Sequence, residues 1–132
     1  MADRLHILLA EDHPTNRAVI EAILGLFEVD LTSVENGADA VEAFRADPYD
    51  IVLMDLQMPV MDGLEAIREI RKIEGASGRE RTPILAVTAN AMGAHVTASM
   101  SAGADQHISK PVMPDDLIGA ISTATGRLQL AS

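Results

Sequence analysis

Hydrophobic residues along the chain fall into five short runs, and after each run they recur every three or four positions. Leu5 to Ala10, interrupted only by His6, and the unbroken runs Ile51 to Met54 and Ile84 to Val87 are apolar, the pattern of parallel strands covered on both faces. Val29 to Val34 mixes in Asp30, Thr32 and Ser33, and Gln106 to Ser109 is half polar, which suits strands at the edges of a sheet. The helical stretches are equally distinct. The first begins near Pro14, whose fixed φ suits a first helical position, and carries Ile20, Ile23, Leu24 and Phe27 on one face. The second follows Gly37 with Ala40, Val41 and Phe44, and the third opens at Gly63 and turns Leu64, Ile67 and Ile70 inward. The fourth places Met92, Val96 and Met100 at i, i+4 and i+8. Pro114, Asp115 and Asp116 start the fifth, where acidic side chains favour the positive end of a helix dipole, and Leu117, Ile118 and Ile121 face inward. Glu74 to Arg81 reads as a mobile loop before Thr82-Pro83 introduces the fourth strand.

A βα unit repeated five times, with central runs one, three and four and edges two and five, leaves one topology under the right-handed crossover rule. It is an α/β, doubly wound, five-stranded parallel sheet of order 2-1-3-4-5 with five helices, the flavodoxin-like arrangement. The 132 residues suffice for one domain, residues 1–132, with a core from about residue 5 to residue 126. No apolar run approaches the roughly 18 residues that cross a bilayer. Met1 to Arg4 lead into strand one without the features of a signal peptide, so the cytoplasm is the expected location and no membrane partner is expected. The net charge of -10 would repel nucleic-acid phosphates. The absence of cysteine removes disulfides, thiol catalysis and thiolate metal sites.

In a sheet of this order, ligands bind beyond the carboxyl ends of the strands, at the switch between strands one and three. Strand one runs into Glu11-Asp12, strand three into Asp55, strand four into Thr88 and strand five into Lys110. Five polar groups from distant parts of the chain therefore converge on one rim. Three carboxylates together repel one another unless a cation neutralises them, and an oxygen-only set favours a hard ion such as Mg2+. Asp12 and Asp55 are the expected direct ligands, with Glu11 acting through water. Taken alone, Glu11 and Asp12 could equally serve the N-terminus of the first helix. Asp55, directly after four apolar residues, is placed to act as a nucleophile and form an acyl phosphate. Thr88 can donate its hydroxyl to a phosphate oxygen, and the Ala89 N–H can add a second bond. Lys110 can pair with Asp55 before phosphorylation and with the phosphate afterwards.

These residues resemble the receiver domains of bacterial two-component systems over nearly the whole chain. The motifs are Leu8-Leu9-Ala10-Glu11-Asp12, Leu53-Met54-Asp55-Leu56-Gln57-Met58-Pro59 through Met61-Asp62-Gly63, Thr88-Ala89-Asn90-Ala91-Met92, and Ser109-Lys110-Pro111. The resemblance implies that Asp55 is the phosphoacceptor and that Asp12, Asp55 and the Gln57 backbone carbonyl hold magnesium. It further implies that the backbone of Ala89 and Leu56 binds phosphate, that Thr88 and Lys110 sense it, and that the Lys110-Pro111 bond is cis. The donor would be a phosphohistidine on a histidine kinase or histidine phosphotransfer protein. The downstream protein would bind the face of helix four, strand five and helix five. His107 stands where many receivers carry Tyr or Phe, so it takes the place of the aromatic switch beside Thr88; a half-exposed edge-strand histidine is the plainer reading. Gln57 and Asn90 flank the expected path of hydrolytic water. Asp55 to Gly63 and Thr88 to Met92 look most like receivers attached to hybrid sensor kinases, so the chain is read as a single-domain regulator or a piece of something longer.

Two further alternatives stay open at this stage. An aspartyl phosphatase would need a second Asp two residues after the nucleophile, where this chain has Gln57. A degenerate receiver used only for docking would be expected to lack the intact set Asp12, Asp55, Thr88 and Lys110. A flavin-binding protein is disfavoured because the turn Glu11-Asp12-His13-Pro14 is acidic where a phosphate loop needs donors.

Overall fold

In the computed structural model, which describes residues 4–89, 94–128 and 130, each apolar run is a strand and each periodic stretch a helix. The strands are β1 Leu5–Ala10, β2 Val29–Val34, β3 Ile51–Asp55, β4 Ile84–Thr88 and β5 Gln106–Ser109. The helices are α1 Pro14–Leu24, α2 Gly37–Ala46, α3 Gly63–Ser77, α4 Ala94–Ala102 and α5 Pro114–Thr125. All strand pairs are parallel, in the order β2-β1-β3-β4-β5.

The central strands are apolar at all positions but His6 and the strand-end residues Asp55 and Thr88, because successive side chains enter opposite layers. Leu8, Ala10, Val52, Met54, Ile84 and Ala86 meet Val41, Phe44, Ile67 and Ile70 on the side of α2 and α3. Ile7, Leu9, Ile51, Leu53 and Leu85 meet Ile20, Leu24, Leu117 and Ile121 on the side of α1 and α5. Helix starts follow local chemistry. Pro14 and Pro114 occupy first-turn positions, while the side chains of Asn36 and Asp62 accept hydrogen bonds from the Asp39 and Glu65 N–H groups at 2.8 and 2.9 Å.

Three expectations about the helices need correction. Helix α1 ends at Leu24, so Phe27 is buried from the turn that follows it and not from the helical face. The proposed mobile loop at Glu74 to Arg81 begins too early, because α3 continues to Ser77 and closes on Gly78 in the left-handed region at φ 68. Glu74 is buried and ion-paired to Arg71 at 2.8 Å, and Arg79 donates to the Phe44 and Arg45 carbonyls, so both ends of the segment are tied down. The third concerns α4, where Val96 is half-buried and Met100 exposed; among the described side chains of the helix Ser99 and Ala102 are the buried ones, and Met92 lies outside the described residues. Small side chains face inward there, and the Ser99 hydroxyl donates to the Val96 carbonyl at 2.8 Å.

Candidate functional site

The parallel register brings the ends of β1, β3 and β4 level, since Ala10 pairs with Met54 and Asp55 with Val87. Residues just beyond these ends therefore share one rim. Carboxylate oxygens of Glu11, Asp12 and Asp55 lie within 4.8 Å of one another. Lys110, at the end of β5, reaches between them: its Nζ is 3.1 Å from Glu11 Oε1 and 3.1 Å from Asp55 Oδ2. The Lys110–Pro111 peptide bond is cis. Thr88 closes β4, is buried, and accepts the Lys110 N–H at its carbonyl at 2.8 Å. Ala89 follows it, exposed, while Asn90 lies outside the described residues.

The electrostatics of the cluster are unbalanced. Glu11 and Asp55 are 1% and 3% exposed, so little water screens them. Burial, opposed by the Gln57 N–H bond and the Lys110 ammonium and reinforced by the Glu11 charge, pushes the Asp55 carboxyl up to about 6 from its ordinary 3.8. Burial works against the Lys110 ammonium, yet its close contact with Glu11 and the charge of Asp55 outweigh that effect and hold its pKa above the ordinary lysine value. Glu11 Oε1 touches the Lys110 ammonium but accepts no hydrogen bond of acceptable geometry among the described residues. One ammonium facing three carboxylates leaves two negative charges uncompensated, the deficit that a divalent cation fills. The donors are all oxygen, as a hard ion requires.

Two details differ from expectation. The Leu56 N–H does not face the cluster: it donates to the Val87 carbonyl at 3.1 Å, continuing the sheet ladder one residue beyond β3. The amide that reaches Asp55 is that of Gln57, which donates to Oδ1 at 3.1 Å in a local turn that aspartate forms readily. That tendency of Asp to bond the N–H two residues on was the available sequence signal. His107 stands apart from the carboxylates, exposed on β5 over a groove of about 430 Å³ that it lines with Asp115, Asp116 and Gly119.

Gly63 sets how closely the chain can pass behind Asp55. Its N–H donates to the Leu56 carbonyl at 3.1 Å, and a Cβ added there would lie 2.2 Å from the Asp55 carbonyl oxygen. Backbone cannot yield as a flexible side chain does. Gly63→Ala is therefore expected to cost about 2–4 kcal/mol in urea unfolding, by forcing β3 and α3 apart. A loss below about 0.5 kcal/mol would show that the close approach is not required.

Comparison with known proteins places this arrangement. The family model described as response regulator receiver domain matches residues 7–122. A hybrid signal transduction histidine kinase G of Dictyostelium discoideum is 38% identical over 86% of this chain, and the chain spans only 3% of that kinase. The crystal structure of the receiver domain of sensor histidine kinase PA1611 from Pseudomonas aeruginosa PAO1, with magnesium coordinated in its active-site cleft, is 37% identical. It has a TM-score of 0.82 and covers 94% of this chain and 99% of its own. The receiver domain of Ssk1 from Saccharomyces cerevisiae, co-crystallised with the histidine phosphotransfer protein Ypd1, is similar at 25% identity with a TM-score of 0.89. That match covers 96% of this chain and 92% of the other.

Proposed function

The chain belongs to the response regulator receiver domain family of two-component phosphorelays, and on that premise we propose that Asp55 is its phosphoacceptor and that the rim around Asp55 is where a phosphohistidine delivers its phosphoryl group. The observation that carries this reading is the carboxylate cluster bridged by Lys110, with Asp55 buried at its centre. In the transfer, an Asp55 carboxylate oxygen forms a bond to phosphorus as the bond from phosphorus to the donor's imidazole nitrogen breaks, and the imidazole leaves with the electron pair.

The residues present fit a magnesium ion: Asp12, Asp55 and the Gln57 carbonyl would hold it, with Glu11 acting through water. Bound there, the ion supplies charge compensation to the carboxylate and to the phosphoryl oxygens. Lys110 exchanges its contact with Asp55 for one with the new phosphoryl group, and the Thr88 hydroxyl and the Ala89 N–H donate to phosphoryl oxygens. The Gln57 N–H holds Oδ1 and so orients the carboxylate for attack. Movement of Thr88 and Lys110 toward the phosphoryl group displaces the segment after β4 and alters the face made by α4, β5 and α5, where a downstream protein binds. Met100, Met113 and His107 are exposed on or beside that face and are available to such a partner. His107 contributes there and not as a buried switch. Residues 5 to 126 form the core of one receiver domain acting in the cytoplasm. With Gln57 in place of a second aspartate, steady-state hydrolysis of phosphate esters is not expected. Among the described residues no helix is long and apolar enough to cross a membrane.

Removal of divalent cation tests the scheme. With magnesium and acetyl phosphate the protein is expected to gain one phosphoryl group on Asp55, located by mass spectrometry of peptides. Chelation should reduce the rate at least 100-fold, since the cluster is then left with its excess negative charge. Labelling at another residue, or at an equal rate with chelator present, would overturn the assignment.

A further inference from the structure

The connection from β3 to α3 holds the one non-glycine residue with positive φ among those described, Val60 at φ 68. The Met61 N–H donates back to the Pro59 carbonyl at 2.7 Å, which makes Pro59-Val60-Met61 a three-residue γ-turn of the strained hand. Valine is among the residues least suited to this backbone, because its branched Cβ crowds the carbonyl that positive φ brings near.

The turn is not free to relax. On one side the Gly37 N–H donates to the Met61 carbonyl at 3.0 Å, and α2 begins so close that a Cβ on Gly37 would lie 2.3 Å from that oxygen. On the other, Gly63 is bonded to Leu56 and pressed against Asp55. The backbone path is thus set by its surroundings, but the side chain at its apex is not, and Gly or Asn would follow the same path with less strain. Burial offers valine no compensation: Val60 is 84% exposed, more than any other large apolar residue among those described. Met58 and Met61 on either side pack partly against the core, so Val60 is the uncovered tip of an otherwise anchored apolar run. That tip stands on the rim of the Asp55 site, since the strand and the helix it joins both abut that residue.

A residue that strains the isolated domain and contacts little of it fits a role at an interface. We propose that Val60 is a specificity-determining contact for the protein phosphodonor, its isopropyl group meeting an apolar patch beside the donor's phosphohistidine. This inference rests on the reading of Asp55 given above and deepens it by naming a donor contact.

Two donors separate the contact from the chemistry. Acetyl phosphate is too small to touch Val60 while reacting at Asp55, whereas phosphorylated Ypd1, used as the protein probe, must cover the rim. Val60→Asn is expected to raise Tm by about 3 °C through relief of strain. It should leave the acetyl phosphate rate within twofold of the parent and slow transfer from Ypd1 at least fivefold. Val60→Ile should keep the Ypd1 rate, since it retains the apolar branched tip. Equal rates from Ypd1 for the parent and Val60→Asn would overturn the proposal, as would a parallel fall with both donors, which would mark a disturbed site. No labelling of the parent by either donor would overturn both this inference and the assignment of Asp55.

Discussion

Asp55→Asn is expected to abolish phosphoryl uptake and, at neutral pH without divalent cation, to make the protein more stable than its parent. The first effect follows from losing the nucleophile. The second follows from linkage. Burial and Glu11 hold the folded carboxyl at about 6 against 3.8 ordinarily, so between these values the folded protein keeps a proton that the unfolded chain has released. A group raised in this way contributes stability that is fully present below about pH 4 and is lost as pH rises through about 6. At pH 7.5 the parent therefore carries a penalty on the order of 2–3 kcal/mol that the neutral amide avoids. Urea unfolding of both proteins at pH 5 and pH 7.5, in chelator, measures it. The stability advantage of the variant should grow with pH and shrink when magnesium is added to the parent. A difference that is the same at both pH values would refute the electrostatic account, and persistent labelling of the variant would refute the site.

The second large effect is expected far from Asp55. Arg71 lies under the sheet, where it donates to the Gly103 carbonyl at 2.7 and 3.0 Å, to the Thr82 carbonyl at 2.8 Å, to Glu74 at 2.8 Å and to Asp105 at 2.9 Å. Glu74 in turn accepts the Thr82 N–H at 2.7 Å, and Asp105 accepts the Ile84 N–H at 2.8 Å. This network fixes the entry to β4 and the turn before β5. Arg71→Met would leave the Glu74 carboxylate buried without its cation and the Thr82 carbonyl without the guanidinium donor, while the Gly103 carbonyl would keep only its bond from Arg81 at 3.1 Å. A loss of about 3–5 kcal/mol is expected in urea unfolding. Adding Glu74→Gln should recover part of it, because the isolated charge is then gone. A loss under about 1 kcal/mol would mean that water replaces the guanidinium without difficulty.

The two variants mark how far the primary structure could be read. Asp55 was visible because a carboxylate directly after four apolar residues has one place to go in a doubly wound sheet, and Glu11, Asp12, Thr88 and Lys110 follow their strands to the same rim. The strand order was readable because continuous and mixed apolar runs separate central strands from edges. Arg71 and Glu74 were not visible. Their partners come from residues 82, 103 and 105, and a polar pair at i and i+3 on a helix usually faces solvent. The period of Met92, Val96 and Met100 misled for a related reason: three apolar residues in register define a stripe, but which stripe turns inward depends on how closely neighbouring elements approach. Likewise, nothing in Met58 to Met61 announces a γ-turn, because valine is the residue that local preference would exclude from its apex.

Helix α4 has one more implication. Among its described side chains the buried ones are Ser99 and Ala102, neither carrying the apolar area that Leu or Ile would remove from water, each worth about 1.5–3 kcal/mol when buried. By its described side chains, α4 thus buries less apolar area than α1, α2, α3 or α5, whose buried faces carry leucine, isoleucine, valine or phenylalanine. Local opening of this segment is therefore expected to cost less than opening of the other helices. A modest chemical event at the rim is then expected to shift this helix before it shifts the others.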